Sequence, residues 1–341
     1  MDKEELQPQP ITFADAADFI DTNHNDDNWF LHVETFDPHE PFFTQQNYKD
    51  LYPHDYVGLH FDWPAYTNVE ETKDEVEHCR LEYAALVSMC DVYLGKVLDM
   101  MDKYDLWKDT MLIVNTDHGF LLGEHNSWAK NRWPWYEELS HVPLFIWDPR
   151  CGCAGERRKA LVQNIDLGPT LLEYFEIDRT KDMIGVPLRE TVANDKPIRD
   201  SLLFGTFGGH VNCTDGRYVY MRSAVSDDNQ PLYDYTLMPT TMRDFFELGK
   251  IAEAELIDEP FSFTKGCPLL KIPGEEWANG GLAFGNLLFD LKEDPEQKNP
   301  INDPKIEQMM IDKMLRLMEE NEAPEEQYLR IGLPVPSAAA S

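Results

Sequence analysis

The residues with the clearest chemical potential lie where predicted strands end. The run Thr116-Asp117-His118-Gly119 closes a short apolar segment, so a carboxylate and an imidazole project together beyond the edge of the sheet. Asp and His side chains side by side suit a divalent metal ion, and a glycine lets the backbone turn close to such an ion. Asp-His-Gly is also ordinary strand-to-loop chemistry, so this motif alone leaves a metal site and a plain turn both open.

Two further candidates are Lys130 and His39. Lys130 follows His118 by 12 positions in a tryptophan-rich stretch whose packing restricts it, and its ammonium suits pairing with an oxyanion. His39 follows another predicted strand, in the proline-containing loop Asp37–Phe42. Its near-neutral reference pKa suits protonation of a leaving group. The competing roles are a solvated surface lysine and a histidine that fixes its loop.

The charge balance and the cysteines limit the class of function. The 341 residues include 63 Asp and Glu against 30 Lys and Arg, a formal net charge of -33. Such an acidic chain repels phosphate backbones, so nucleic acid is not an expected partner. The 6 cysteines are scattered and form neither a disulfide framework nor a zinc-site spacing. Because the net charge is strongly negative, any anionic substrate must be attracted by positive groups at the binding site itself.

The sequence gives no indication of a membrane partner. No apolar run approaches the roughly 20 residues that a membrane-spanning helix requires. The first residues lack the basic-then-apolar pattern of a signal peptide, so a cytoplasmic location is the default expectation. A periplasmic or secreted location stays open if a signal peptide was lost with an amino-terminal part.

Hydrophobic periodicity predicts the elements that position the candidate residues. Compact apolar runs predict buried strands at 28–35, 111–116 and 142–147. Apolar residues at steps of three and four predict a long amphipathic helix over 74–104. Short strands that do not alternate, separated by helices, indicate an α/β sheet covered by helices on both faces. Shorter helices are predicted over 13–21 and 165–175.

The pattern changes near residue 200. Two apolar runs on either side of a turn at 214–216 predict an antiparallel meander, followed by one more strand and an amphipathic helix. We therefore predict a larger α/β portion, a smaller α+β unit and a disordered tail, over residues 1–200, 201–330 and 331–341. The elements predicted in the smaller unit are strands at 201–206, 217–222 and 286–291 and a helix over 304–320.

Taken in series, these segments resemble the sulfatase family of the alkaline-phosphatase superfamily. Residues 29–33 leading into 37–42 look like the family segment in which a strand delivers a substrate-contacting histidine. Thr116–Gly119, followed by Gly123–Lys130, is similar to the family's metal-binding and sulfate-binding stretch. The resemblance continues, in the right order over nearly the whole chain, through 142–144, 166–172 and 288–299.

This resemblance implies hydrolysis of a sulfate monoester on an alkaline-phosphatase-like α/β fold with a smaller carboxy-terminal α+β subdomain. It implies that Asp117 and His118 bind a divalent metal, Ca²⁺ first, and that Lys130 clamps a sulfate oxygen. It further implies that His39 contacts the bridging oxygen and that His125 lies near the leaving group. The expected substrate is a sulfated small molecule or glycan, and the oligomeric state is left open.

The chain departs from the family at the nucleophile. In the family a formylglycine, made from the Cys or Ser of a Cys/Ser-x-Pro-x-Arg motif, attacks sulfur. Cys153 and Cys213 have an arginine at the right offset but lack the proline, and both follow the metal pair. We therefore expect the formylglycine on an amino-terminal part that is missing from this chain, and we expect the isolated chain to be inactive.

Two other functions stay open at the level of sequence. A phosphonate or phosphate ester hydrolase of the same superfamily would use the same metal and lysine. A non-catalytic glycan-binding subunit would instead stack aromatic side chains on sugar rings, although these residues could equally pack long loops. The aromatic candidates are Tyr52, Trp63, Tyr66, Trp133 and Trp135.

Overall fold

The computed structural model describes residues 3–131, 134–258, 260–275 and 281–336. In this part of the chain the α-helices are α1 Pro8–Asn23, α2 Gln46–Lys49, α3 Lys73–Lys103, α4 Glu137–Ser140, α5 Leu167–Tyr174, α6 Arg189–Asn194, α7 Leu248–Ala252, α8 Pro304–Glu320 and α9 Glu325–Arg330. The strands are β1 Leu112–Asn115, β2 Leu121–Leu122, β3 Trp128–Ala129, β4 Leu144–Trp147, β5 Leu202–Phe204, β6 Val211–Thr214, β7 Tyr218–Arg222, β8 Tyr233–Thr236, β9 Glu255–Ile257, β10 Leu269–Pro273 and β11 Leu287–Asp290.

Strands β1 and β4 form an antiparallel pair in which Leu112 lies opposite Trp147. They confirm the strands predicted at 111–116 and 142–147. Both are half-buried rather than buried, and the Phe145 side chain is 66% exposed. The reason is that β1 borders an open cleft, so its apolar run is only partly covered.

The strand predicted at 28–35 is wrong. Residues 29–36 have no regular secondary structure, and within the described residues the backbone of 29–35 makes no backbone hydrogen bond. Leu31 packs against the cluster of Ile20, Met101 and Leu106, and the segment borders the same cleft as β1. An apolar run is therefore not sufficient for a strand, because strand formation also requires a neighbouring strand as hydrogen-bond partner.

Helix α3 is the main support of the candidate site and confirms the helix predicted over 74–104. Its start is fixed by a capping box, in which the Thr72 side chain accepts from the Glu75 amide and the Glu75 side chain accepts from the Thr72 amide. Its buried face packs against Phe42 and Trp128. Phe42 follows the loop of His39, and Trp128 precedes Lys130, so one helix anchors both segments.

Helix α1 also contacts α3, but it starts earlier than the predicted range of 13–21. It begins at Pro8, because proline has no amide hydrogen and is favoured in the first helical turn. Helix α5 matches the end of the helix predicted over 165–175, after a 3-10 turn at Asn164–Asp166.

The carboxy-terminal part forms a four-stranded antiparallel sheet in the order β11-β7-β6-β5. Strands β5, β7 and β11 and helix α8 confirm the elements predicted at 201–206, 217–222, 286–291 and 304–320, in that order. Strand β6 was missed: its sequence Val-Asn-Cys-Thr is short and half polar, and the turn predicted at 214–216 joins β6 to β7. Met310 and Met314 of α8 pack against Cys213 and Tyr220 of the sheet.

The predicted tail is wrong at its beginning. Ile331 and Leu333 are buried in the core beneath α8, and the Leu333 amide donates to the Tyr328 carbonyl at 2.8 Å. Residues 337–341 lie outside the described residues. The division of the chain near residue 200 stays a prediction. Among the described helices, none combines the length and the apolar character needed to cross a membrane.

Candidate active site

A broad cleft of about 2120 Å³ opens beside β1. His39, Asp117, His118 and Lys130 all line it, although they come from separate loops. The fifth predicted residue, His125, is not among the described residues that line the cleft. The tertiary structure thus collects four of the five predicted side chains around one open space.

Asp117 is the most exposed of these four residues, and it contacts His118. The Asp117 side chain is 79% exposed, and its Oδ2 lies 3.2 Å from Nε2 of His118. The other imidazole nitrogen, Nδ1, faces the Gly119 carbonyl at 2.9 Å and therefore carries a proton. A neutral His118 consequently points an unprotonated Nε2 at a carboxylate. Two acceptors at this distance need a proton or a cation between them, so the pair fits a metal ion.

Gly119 is required by close packing rather than by the approach of an ion. A Cβ atom at this position would lie 1.7 Å from the carbonyl oxygen of Glu138. The Gly119 amide donates to the Leu139 carbonyl at 2.9 Å. Helix α4 is thereby held directly against the turn that carries Asp117 and His118, and it brings Glu138 to the cleft.

Lys130 is buried, with 8% of its side chain exposed, and its Nζ lies 3.8 Å from Oε2 of Glu40. Glu40 is more deeply buried, and its Oε1 accepts a hydrogen bond from the Tyr66 hydroxyl at 2.5 Å. The neighbours Ala129 and Asn131 both have positive φ, which turns the backbone sharply around Lys130. Sequence reasoning missed Glu40, although its position directly after His39 was a usable signal.

His39 lies against the same carboxylate. Its Nδ1 donates to the Glu40 carbonyl at 2.6 Å and is 3.3 Å from Oε2 of Glu40. The imidazole ring stacks on Phe36, with the ring centroids 4.1 Å apart. Because Nδ1 is engaged as a donor, proton exchange with a bound molecule must occur at Nε2.

His125 is held behind the cleft by Glu138 and Tyr136. Its Nε2 lies 3.3 Å from both carboxylate oxygens of Glu138, and its ring stacks on Tyr136 with centroids 3.5 Å apart. Burial is the largest single influence on Glu138 and opposes its ionisation. The hydrogen bond from His125, a backbone hydrogen bond and the nearby His125 and Lys298 charges together outweigh it and lower the pKa of this carboxyl. Glu138, which sequence reasoning also missed, is therefore the member of this pair that faces the cleft.

Two of the four aromatic candidates that the structure describes have their hydroxyl groups engaged by other side chains. The Tyr52 hydroxyl is hydrogen bonded to Ser88 at 2.8 Å, and the Tyr66 hydroxyl to Glu40. Trp63 is 64% exposed, Trp135 is partly buried, and Trp133 lies outside the described residues. Tyr52 and Tyr66 thus have packing and positioning roles, which weakens the glycan-stacking alternative.

Neither cysteine that precedes an arginine lies in the described lining of the cleft. Cys213 is fully buried in β6, and burial raises the pKa of its thiol to about 12. Cys153 lies near the Cys151 and Ala193 carbonyls, 3.7 Å from each oxygen. These positions agree with the expectation that neither cysteine is the nucleophile.

Curated relatives match parts of the chain. The chain is 25% identical over 268 residues to a choline-sulfatase of Rhizobium meliloti, which covers 69% of this chain and 51% of that protein. It is 32% identical over 114 residues to an N-acetylglucosamine-6-O-sulfatase of Bacteroides thetaiotaomicron, or 33% of this chain and 20% of that protein. The chain therefore spans at most about half the length of these two relatives.

The fold is shared with solved structures. The crystal structure of yidJ from Bacteroides fragilis matches 93% of this chain and 59% of its own chain, with a TM-score of 0.64 and 18% identity. This confirms the predicted alkaline-phosphatase-like architecture. A model for the carboxy-terminal region of N-sulphoglucosamine sulphohydrolase matches residues 123–256. The sulfatase family model matches residues 7–177, half of the chain, and the chain belongs to the sulfatase family.

Proposed function

We propose that the cleft binds the sulfate group of a monoester and that the protein takes part in its hydrolysis. The observation that supports this most is the gathering of His39, Asp117, His118 and Lys130 around one cleft. An ammonium, an imidazole and a metal-binding pair are the groups that a transferring sulfuryl group requires. Family membership supports the same reaction class.

Each residue has a distinct role in this proposal. Lys130 binds a non-bridging sulfate oxygen, and the carboxylate of Glu40 holds the ammonium in place. His39 donates a proton from Nε2 to the bridging oxygen as the ester bond breaks, while Glu40 fixes the ring through Nδ1. Glu138 is held ionised by His125 at the rim of the cleft.

Asp117 and His118 would hold the divalent metal, for which Ca²⁺ is the first candidate. The local reason for this assignment is that Nε2 of His118 lies 3.2 Å from Oδ2 of Asp117, while Nδ1 of His118 is engaged by the Gly119 carbonyl. A bound divalent cation supplies Lewis-acid stabilisation of the sulfate and the nucleophile. Two ligands are few for calcium, which takes six to eight, so we propose that further ligands come from outside this pair.

The nucleophile is the remaining requirement. No Cys/Ser-x-Pro-x-Arg motif occurs in the 341 residues. We propose that a formylglycine on a separate amino-terminal segment completes the cleft, and that the chain alone binds sulfate esters without hydrolysing them. The names of the relatives, choline-sulfatase and N-acetylglucosamine-6-O-sulfatase, support either a small cationic alcohol or a sugar as the esterified group.

Calorimetric binding tests the proposed oxyanion site. We expect an aryl sulfate to bind the calcium-loaded chain, with binding lost in Lys130→Met and calcium binding lost in Asp117→Asn. Lys292→Met, a change to an exposed lysine in the turn after β11, is the matched control. Equal affinity of the wild type and Lys130→Met would contradict the role of Lys130. Tighter binding of an aryl phosphonate than of the sulfate would favour the phosphonate hydrolase alternative.

A hydrolysis assay tests the proposed origin of the nucleophile. We expect no turnover of an aryl sulfate by the chain alone. Activity should appear when the chain is co-expressed with a formylglycine-generating enzyme and a segment carrying the Cys-x-Pro-x-Arg motif. Turnover by the isolated chain, retained in Cys153→Ser and Cys213→Ser, would show that a different group attacks sulfur.

A further inference from the structure

A second cluster of metal-ligating side chains lies on the buried side of helix α3. His78 and Glu82 are one helical turn apart, at i and i+4, and His60 approaches them from the loop that precedes the helix. One ligand atom from each of the three lies within 4.8 Å of the others. His78 and Glu82 are buried, and His60 is exposed, so one side of the cluster opens to solvent.

The histidines of this region form a continuous chain of contacts. His54 Nδ1 faces the Tyr52 carbonyl at 3.0 Å, and His54 Nε2 faces His78 Nδ1 at 2.7 Å. His78 Nε2 faces His60 Nδ1 at 3.3 Å, and His60 Nε2 faces Oδ2 of Asp62 at 3.1 Å. This series of contacts therefore begins at a carbonyl and ends at a carboxylate, and both groups can only accept hydrogen bonds.

Counting protons shows that this series of histidine contacts lacks one proton. Four contacts between acceptors require four protons, whereas three neutral imidazoles supply three. If His54 donates to the carbonyl and His78 donates to His54, then His78 Nε2 is a bare acceptor. If His60 donates to Asp62, its Nδ1 is a bare acceptor as well. The missing proton then falls between His78 Nε2 and His60 Nδ1, the longest contact in the chain.

The dimensions of this gap suit a transition metal. Two nitrogen ligands at about 2.05 Å from a tetrahedral zinc ion lie about 3.3 Å apart, and the two nitrogens are 3.3 Å apart. The outer hydrogen bonds, from His78 to His54 and from His60 to Asp62, would orient both rings.

We propose that His60, His78 and Glu82 bind a zinc-class divalent transition metal ion, with water at the solvent-facing position. The ion takes the place of the missing proton, so that every contact in the histidine series is satisfied with neutral imidazoles. Its role is structural: it fastens the loop of residues 53–62 to helix α3.

The site is connected to the candidate active site through the backbone. The Asp62 carbonyl accepts from the Phe42 amide at 2.8 Å, next to the loop that carries His39 and Glu40. Lys49 is the present cationic partner of Glu82 and competes with a metal for this carboxylate. Removal of the Lys49 charge should therefore strengthen metal binding, a result that a purely structural histidine cluster does not predict.

Competition with a chromophoric chelator, using Zn²⁺ alone as the probe, tests the proposal. Asp117→Asn/His118→Gln serves as the background, so that the cleft does not contribute. We expect the background protein to bind one equivalent of zinc per chain. The zinc affinity should be at least about tenfold weaker in His60→Ala and in Glu82→Gln. It should be higher in Lys49→Met. His141→Ala, an exposed histidine paired with Glu137, should bind like the background. Cobalt substitution should give the absorption of a tetrahedral centre.

Two outcomes would overturn this site. One is zinc binding in His60→Ala that equals the background, which would place the metal elsewhere. The other is absence of stoichiometric binding in a background protein whose circular dichroism is native. Hydrogen exchange of residues 53–62 should slow on zinc addition in the background and not in His60→Ala. Unchanged exchange in the background would contradict the loop-fastening role.

Discussion

The Nζ atom of Lys130 lies 3.8 Å from Oε2 of Glu40, and both side chains are almost completely buried. His39 touches the same carboxylate, so a single buried anion positions the cation and the imidazole proposed to act on a sulfate ester. A buried carboxylate with two such neighbours is costly to keep without its partners, which makes Glu40 the central positioning residue of the cleft.

Replacement of Glu40 by glutamine should therefore destabilise the protein. The change leaves the buried Lys130 ammonium without an anionic partner, and breaking a buried pair costs roughly 3–5 kcal/mol of unfolding free energy. Urea denaturation of Glu40→Gln measures this loss. Glu34→Gln, at an exposed position in the preceding segment, is the control and should change stability by less than about 0.5 kcal/mol. Similar midpoints for the two variants would show that the pair is not coupled to folding.

Gly119→Ala should damage the site through α4. The added Cβ would lie 1.7 Å from the Glu138 carbonyl oxygen, so the backbone of α4 must move and the unfolding free energy should fall by at least about 2 kcal/mol. Gly168→Ala is the matched control, because a Cβ there meets no atom within 4 Å on helix α5. That variant should be neutral or stabilised by about 0.5–1 kcal/mol. Equal stability of the two variants would contradict the packing of α4 on the turn that carries Asp117 and His118.

Glu138 should make stability depend on pH on the acid side. Its folded pKa lies below the ordinary 4.5, because the hydrogen bond from His125, a backbone hydrogen bond and the nearby charges of His125 and Lys298 together outweigh the effect of burial. The stabilisation is then present above pH 4.5 and is lost as the pH falls through the folded pKa.

The difference in unfolding free energy between wild type and Glu138→Gln measures the stabilisation that the ionised Glu138 contributes. It should be largest near about pH 7 and shrink toward about pH 3. Glu70→Gln, at an exposed position, should show no such trend. A difference that stays constant across this range would mean that His125 does not hold Glu138 ionised.

Thiol labelling should separate the cysteines by burial. Cys267 is exposed and should react quickly with a disulfide reagent under native conditions. Cys79 and Cys213 are buried, and burial raises the pKa of each thiol to about 12, so they should react only after unfolding. Mass spectrometry of the labelled peptides gives the order. Fast native labelling of Cys213 would reopen it as a candidate nucleophile.

The sequence by itself determined the elements whose signals are local. The three- and four-residue spacing of α3 and α8, with the capping box at Thr72 and Glu75, specifies a helix independently of its neighbours. The motif Thr116–Gly119 at the end of β1 was likewise readable as a strand end, although the motif alone left a metal site and a plain turn both open. The order of the motifs along the chain was sufficient to predict the family.

Only the tertiary structure decided which of these side chains meet and how they are charged. The contact between Glu40 and Lys130 joins residues 90 positions apart, and the placement of Glu138 depends on Gly119 packing against α4. The segment 28–35 has a strand-like composition but no strand partner among the described residues. Burial, pairing and pKa depend on the neighbours of a residue in space, and a one-dimensional pattern contains only its neighbours along the chain.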